Sequence, residues 1–201
     1  MQVYYIPDIN QISPTEIDKF YNILPPERKK RADSFRFKSG KASCILSYAL
    51  FLKGYRKLGY DDTPEFDIGI NGKPYIKARP DVHFNISHSH NSVVCIFSDS
   101  PVGIDIEHCR RITNTLISKV CSEEDIIHIK NSPCPEMEFC KLWTVKEAVA
   151  KLKGESVFDN IRDLNAAMAF VVSIQIADNT YMSIAADKPH HFDIHTIKKE
   201  V

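Results

Sequence analysis

The run Val102-Gly103-Ile104-Asp105-Ile106-Glu107 alternates apolar with other residues and reads as a β-strand. Side chains of a strand alternate faces, so Val102, Ile104 and Ile106 share one side while Gly103, Asp105 and Glu107 share the other. Two ionised carboxylates on one face repel and call for a positive partner. A hard divalent cation meets that need, since Mg²⁺ takes one or two protein carboxylates together with phosphate oxygens and water. The outer, solvated side of a half-buried sheet would account for the same spacing. A second candidate lies on the helix read over Glu138 to Lys153. Its apolar residues Leu142, Val145, Val149 and Leu152 form a core-facing stripe, and Trp143, Glu147 and Lys151 fall on the opposite side. An exposed Glu–Lys pair at i,i+4 would explain that side. The chain's only tryptophan sits there too, beside Ala150 and Cys140. A ring of that size needs a partner surface, which predicts a helix covered on both sides with Glu147 and Lys151 partly buried.

The strand Phe84-Asn85-Ile86-Ser87-His88-Ser89 ends in small polar donors. His88 alone reads as a structural histidine; together with Gly72-Lys73-Pro74, a cation on a tight turn, it lines an anion pocket. The charge distribution points the same way. The 26 basic and 26 acidic residues cancel, yet residues 27–57 hold ten basic residues against two acidic ones. A neutral protein with one basic stretch suits a small polyanion better than a long nucleic acid.

The elements that must position these groups are legible from caps and periodicity. Ser13-Pro14-Thr15-Glu16 predicts a capping box opening a helix to about Leu24. Glu27 to Leu58 reads as helix, interrupted near Ser39-Gly40, with Gly59 as the terminating glycine. Short strands are expected over Phe66 to Ile70, Pro74 to Lys77, His83 to Ser87, Val93 to Ser98 and Val102 to Glu107, with a hairpin turn at Asn71-Gly72. Ser122-Glu123-Glu124-Asp125 opens a helix to about Lys130, and Pro135 opens a longer one ending at Gly154. Phe170 to Ile176 and Tyr181 to Ala185 read as antiparallel strands. The fold class is α+β, with no linker, low-complexity segment or internal repeat visible in the sequence.

With 201 residues, 43% hydrophobic and 26% charged, the composition is that of a globular protein able to fold without disulfide or metal staples. The longest apolar run, Ala166 to Val172, falls short of the roughly 18 residues of a membrane span. Met1 to Pro7 lacks the pattern of a secretory signal, so the expected location is the cytoplasm. The six cysteines form no C-x-x-C pair and are expected as reduced thiols. His88-x-His90 and His190-His191 lack a second ligand pair at structural-zinc spacing.

Three ordered blocks, Phe84 to Ser89, Val102 to Glu107 and Trp143-Thr144-Val145-Lys146-Glu147-Ala148-Val149-Ala150-Lys151, resemble the 4′-phosphopantetheinyl transferase family. The likeness is to its surfactin-synthetase-activating type, which serves peptide and polyketide synthetases. Gly72-Lys73-Pro74 and Cys121-Ser122-Glu123-Glu124 also resemble the family pattern, and the likeness runs from about residue 20 to residue 155. The resemblance implies a pseudo-dimer of two similar α+β halves, residues 1–100 and 101–201, with the active site in the cleft between them. It implies transfer of the phosphopantetheine arm of coenzyme A to a serine of an acyl or peptidyl carrier protein, with Mg²⁺ as cofactor and adenosine 3′,5′-bisphosphate released.

Carried over residue by residue, the resemblance makes Asp105, Glu107 and Glu147 the metal ligands. It makes Glu147, Lys151 and Asp105 the catalytic residues, with Glu147 as base. Arg28, Arg31, Lys73, Pro74, Ser87 and His88 then hold the coenzyme. Relatives carry a histidine or arginine early in the second long helix; Lys41-Ala42-Ser43-Cys44 stands here, with Lys41 as a candidate replacement. A monomer is expected, with no nucleic acid or membrane partner. Apolar residues around Ile112 to Val120, with Ile126 and Ile127, are either core or a carrier-docking surface. The rival readings are a non-catalytic coenzyme- or nucleotide-binding protein and a metal-dependent phosphohydrolase.

Overall fold

The computed structural model of the chain describes residues 1–69, 72–155 and 161–198. Strand β1 (Gln2–Ile6) leads to helix α1 (Pro14–Ile23), whose start is the expected box: Ser13 Oγ accepts from the Glu16 N–H, and the Glu16 carboxylate accepts from Ser13. Helices α2 (Pro26–Asp33) and α3 (Lys38–Lys57) follow. The break between them falls at residues 34–37 rather than near Ser39-Gly40. Gly40 does not interrupt α3; its missing side chain leaves room for the Phe35 ring against the helix. Gly59, at φ +90°, follows the end of α3 as expected.

Strands β2 (Phe66–Ile68) and β3 (Pro74–Ile76) pair as an antiparallel hairpin. Ile70 and Asn71, which belong to the expected strand end and turn, lie outside the described residues. Then come β4 (His83–Ser89), β5 (Ser92–Ser98) and β6 (Val102–His108). Helix α4 (Asn114–Val120), capped by Thr113, was not anticipated from the sequence. Helix α5 (Glu123–Asn131) carries the Ser122–Asp125 box, and α6 (Pro135–Lys153) stops at Gly154 with φ +71°. Strands β7 (Phe170–Ala177), β8 (Thr180–Ala186) and β9 (Asp193–Thr196) complete the described elements.

The class is α+β, as expected. One sheet has the order β4-β5-β1-β9 and the other β6-β8-β7. In the first, β1 lies antiparallel to β5, which lies antiparallel to β4. In the second, β6 lies antiparallel to β8, which lies antiparallel to β7. The orders of elements match as well, apart from the β2–β3 hairpin that only the first run carries: a strand, two short helices, a long helix and a closing hairpin, first β1 to β5 and then β6 to β8. Strand β9 crosses back to pair in parallel with β1 in the first sheet.

Burial explains why both sheets hold. Tyr4, Ile6, Cys95 and Phe97 on one face of the first sheet pack against α3, where Phe51 meets Phe84 at 4.7 Å and Phe97 at 5.2 Å between ring centroids. Val3, Tyr5, Val94 and Ile96 on the other face pack with Val102, Ile104, Ile106, Met182 and Ile184 of the second sheet. The apolar face of β6 is therefore the seam between sheets, and its other face is turned to α6. Among the described residues no helix is long and apolar enough to cross a membrane, and all six cysteines carry free thiols.

Candidate active site

The close approach of α6 to β6 rests on small residues. A Cβ at Gly103 would overlap the Ala148 carbonyl oxygen and the Leu152 nitrogen, so only glycine lets the helix lie this near the strand. One turn back, Thr144 and Ser183 hydroxyls bond at 2.7 Å; another turn back, the Cys140 thiol donates to the Glu107 carbonyl at 3.5 Å. Cys140, Thr144 and Ala148, at i,i+4 spacing, form the sheet-facing seam. The stripe expected there, Leu142, Val145, Val149 and Leu152, splits instead. Val149 is buried, Leu142 and Leu152 pack only partly, and Val145 is half-buried. Side-chain size misled the periodicity, because a helix touching a strand this closely presents its smallest residues. Trp143 is covered as expected, packing beside Phe139 at 6.3 Å between centroids.

This approach brings Glu147 and Lys151 to Asp105. Lys151 Nζ lies 2.6 Å from Asp105 Oδ1 and 3.0 Å from Ser87 Oγ, and Ser87 Oγ donates to the same Asp105 oxygen at 2.7 Å. Asp105 is 5% exposed, and its second oxygen, Oδ2, is buried without a partner. Glu107 accepts from Ser89 Oγ at 2.9 Å; burial raises its pKa, with the Asp105 charge adding to the rise. Glu147 is pushed up to about 7, first by burial and then by the Asp105 charge, with Lys151 acting against the rise. The three carboxylates thus share one electrostatic site that a single ammonium does not neutralise.

Strand β4 supports this site with its side chains. Ile104 N–H donates to Asn85 Oδ1 at 3.0 Å and His108 N–H donates to Ser89 Oγ at 3.1 Å, flanking the Ser87–Asp105 and Ser89–Glu107 bonds. Asn85, Ser87 and Ser89 replace a backbone ladder between the two sheets. That gives the Asn-x-Ser-x-Ser pattern of the first block a physical role. Asn85→Ala would strand the buried Ile104 N–H, costing about 1–3 kcal/mol. Scanning calorimetry is expected to show Tm lowered by at least about 3 °C.

The opposite side of β4 faces a cavity of about 200 Å³ lined by Arg28, Arg31, Cys44, Ser47, Pro74 and His88, among others. Arg28 lies 5.8 Å from the Tyr48 and Phe66 ring centroids; burial lowers its pKa and the Arg31 charge adds to the drop. His88 is also pushed down, by desolvation and then by Lys151 and Arg31. Four of the six residues expected to hold the coenzyme therefore line one cavity. Ser87, alternating with His88, points to Asp105 instead. Lys73 is placed apart: its ammonium lies 2.8 Å from the Val102 carbonyl and 3.5 Å from that of Leu152, and burial brings its pKa to about 8. Lys41 pairs with Asp33 at 2.7 Å over the Tyr21 ring, so Cys44 and Ser47 line the cavity where a replacement was sought in Lys41.

Two further features escaped the sequence reading. Lys146 is 1% exposed, paired with Asp125 at 2.9 Å and donating to the carbonyls of Ile161 and Arg162. Nothing in its flanks, Val145 and Glu147, marks a buried cation; the one signal is that Asp125 already closes the α5 capping box, fixing a carboxylate nearby. The other is a cavity beside Glu107 lined by Ile112, Leu116, Phe139, Cys140 and Trp143. Val120 is core, with Ile112, Leu116, Ile117 and Ile126 packed against it, while Ile127 is 61% exposed.

A family model described as the 4′-phosphopantetheinyl transferase superfamily matches residues 101–196, from β6 through β9. The chain is 31% identical over 184 residues to the 4′-phosphopantetheinyl transferase AcpT of Escherichia coli O157:H7, covering 85% of this chain and 86% of that protein. It is 29% identical over 161 residues to the 4′-phosphopantetheinyl transferase Sfp of Bacillus subtilis (strain 168), covering 78% and 72%. Over 89 residues it is 37% identical to the 4′-phosphopantetheinyl transferase gsp of Aneurinibacillus migulanus, covering 43% and 37%. Carboxylates clustered on one side of β4, with a basic cavity on the other, suit an enzyme that transfers a phosphate-bearing group. The chain belongs to the 4′-phosphopantetheinyl transferase superfamily, on the side of the Sfp type.

Proposed function

We propose that the chain attaches the 4′-phosphopantetheine arm of coenzyme A to a serine hydroxyl of an acyl or peptidyl carrier protein, with Mg²⁺ as cofactor. The new bond joins the serine oxygen to the phosphorus bearing pantetheine. The bond from that phosphorus to the bridging oxygen breaks, and adenosine 3′,5′-bisphosphate leaves with the bridging electrons. The observation that carries this reading is Asp105, whose buried Oδ2 has no hydrogen-bond partner while Glu107 and Glu147 crowd it. An orphaned carboxylate oxygen in an acidic cluster fits a hard cation. Among the described residues no three such side chains already close around one point, so substrate oxygens would complete the coordination.

Asp105 and Glu107 would hold the ion, with Glu147 as the third carboxylate; bound there, it would neutralise the pyrophosphate oxygens. Glu147 takes the serine proton, directly or through a water, on an oxygen not engaged with the ion. Without the ion, burial pushes its pKa up to about 7, and a cation bound beside it would lower that pKa and so favour the carboxylate that a base needs. Lys151, held on Asp105 and Ser87, supplies positive charge to the departing phosphate. Arg28, Arg31, Pro74 and His88 hold the nucleotide end on the far side of β4, with Ser87 at the boundary. Lys73 serves this reading by tying the β2–β3 hairpin to β6 and the end of α6.

The repeated order of elements and of sheet strands supports reading the fold as two related halves with the site where β4 and β6 meet. That arrangement makes one chain sufficient. The test is incubation of the protein with coenzyme A, Mg²⁺ and several carrier proteins, read by mass spectrometry. A Mg²⁺-dependent gain of one phosphopantetheine on a carrier is expected. Binding without transfer, or release of adenosine bisphosphate without a carrier, would overturn it in favour of a binding protein or a phosphohydrolase.

The carboxylate cluster also predicts how stability depends on pH. A Glu147 pKa raised from 4.5 to about 7 means the fold favours its neutral form. Its contribution is fully present below about pH 4.5 and is lost as pH rises through about 7. Metal-free protein is expected to lose Tm between pH 5 and 8, and Mg²⁺ to restore it most at pH 8. Thermal melts with and without Mg²⁺ check this.

A further inference from the structure

Another cavity, of about 290 Å³, lies between the β2–β3 hairpin, the start of β4 and the end of α6. Lys73, Tyr75, His83, Phe84, Pro101 and Leu152 are among its lining residues. Mostly apolar walls disfavour a charge. Among the described residues no carboxylate pairs with the Lys73 amine; its partners are the Val102 carbonyl at 2.8 Å and the Leu152 carbonyl at 3.5 Å. An ammonium has three N–H donors, and two carbonyls leave the third unmet. A neutral amine has two, which the carbonyls satisfy, and its lone pair stays free. Burial agrees with this geometry: it brings the Lys73 pKa to about 8, and His83 is pushed down by burial first and then by the Lys73 charge. About a quarter of the amine is therefore neutral at pH 7.5. Lys73 is half-buried, so a small reagent reaches it.

A neutral lysine amine in such a cavity is a nucleophile towards carbonyl carbon. The product it tolerates follows from the walls. An imine formed with an aldehyde takes up a proton and restores a buried cation that no carboxylate offsets. An amide is neutral and keeps one N–H for the Val102 carbonyl. We propose that Lys73 is an acylation site that takes a short acyl group, such as acetyl, from an acyl thioester or an acyl phosphate. The amine nitrogen bonds to the acyl carbon, and the bond from that carbon to sulfur, or to the phosphate oxygen, breaks. The thiolate or phosphate leaves with that electron pair, and the surplus proton on nitrogen passes to water. The step needs no oxidant or reductant, and it is separate from carrier modification.

The experiment is incubation of the folded protein at pH 7.5, without Mg²⁺ or carrier, with acetyl phosphate and, separately, with acetyl-coenzyme A. Acetylated peptides are quantified over time by mass spectrometry. Lys73 is expected to gain acetyl at least about tenfold faster than the exposed Lys30 and Lys57, and the arm that shows it names the acyl source. In protein unfolded with guanidinium before labelling, the three lysines should react within about twofold of one another, because the cavity is gone. A Lys73 rate no greater than those of Lys30 and Lys57 in both arms overturns the proposal. A lead that survives unfolding overturns it as well, since the flanking sequence and not the cavity would then set the rate. Neither result bears on transfer to a carrier protein, which is read separately.

Discussion

Glu147→Gln is expected to lower kcat for carrier modification by about 10²- to 10⁴-fold, the usual worth of a positioned base. The amide keeps the shape of the side chain and removes its capacity to take a proton. KM for coenzyme A should change only a few-fold, because the arginine cavity lies on the other side of β4. A second, less intuitive outcome accompanies the first. Burial first, and then the repulsion of the Asp105 and Glu107 charges, pushes the pKa of Glu147 up to about 7. A neutral amide escapes that repulsion, so the metal-free variant at pH 8 should melt above wild type. Loss of rate with gain in stability marks a group kept for chemistry against the preference of the fold. An active Glu147→Gln enzyme, or one that is both slow and unstable, would contradict the role given to Glu147.

Asp105→Ala is expected to cost about 10³-fold or more in kcat, several kcal/mol of transition-state charge stabilisation. The substitution removes the orphaned Oδ2 and also releases Lys151 and Ser87, both of which bond to Oδ1. Its signature besides rate is the metal response. The Mg²⁺-dependent rise in Tm at pH 8 should shrink or vanish, and higher Mg²⁺ should not restore turnover. Retention of the full Mg²⁺ shift in this variant would place the ion elsewhere.

The strand and helix that carry these two residues were legible in the sequence because their signals are local. Asp105 and Glu107 share a face by simple alternation, and α6 is bounded by Pro135 and Gly154, a start and stop that need no tertiary information. The capping boxes at Ser13 and Ser122 are of the same kind. What escaped depends on contacts distant in sequence. Gly40 looks like a helix breaker until Phe35 is seen lying against it. Strand β9, Asp-Ile-His-Thr, has all four residues exposed and takes its form only from pairing with β1. Lys146 becomes the buried partner of Asp125 only after α5 and α6 dock. The sequence places Lys73 on a turn, but the Val102 and Leu152 carbonyls that its ammonium meets are legible only in the fold.

Gly103 has a consequence that reaches past packing. It holds no proton, charge or metal, yet it fixes how deep the helix bearing Glu147 and Lys151 can settle over the strand bearing Asp105. Adding one methyl there would spare every acid and base in the enzyme and still prise them apart. The catalytic machinery is thus gauged by an empty space, and the thickness of that shim sets the tolerance of everything built around it.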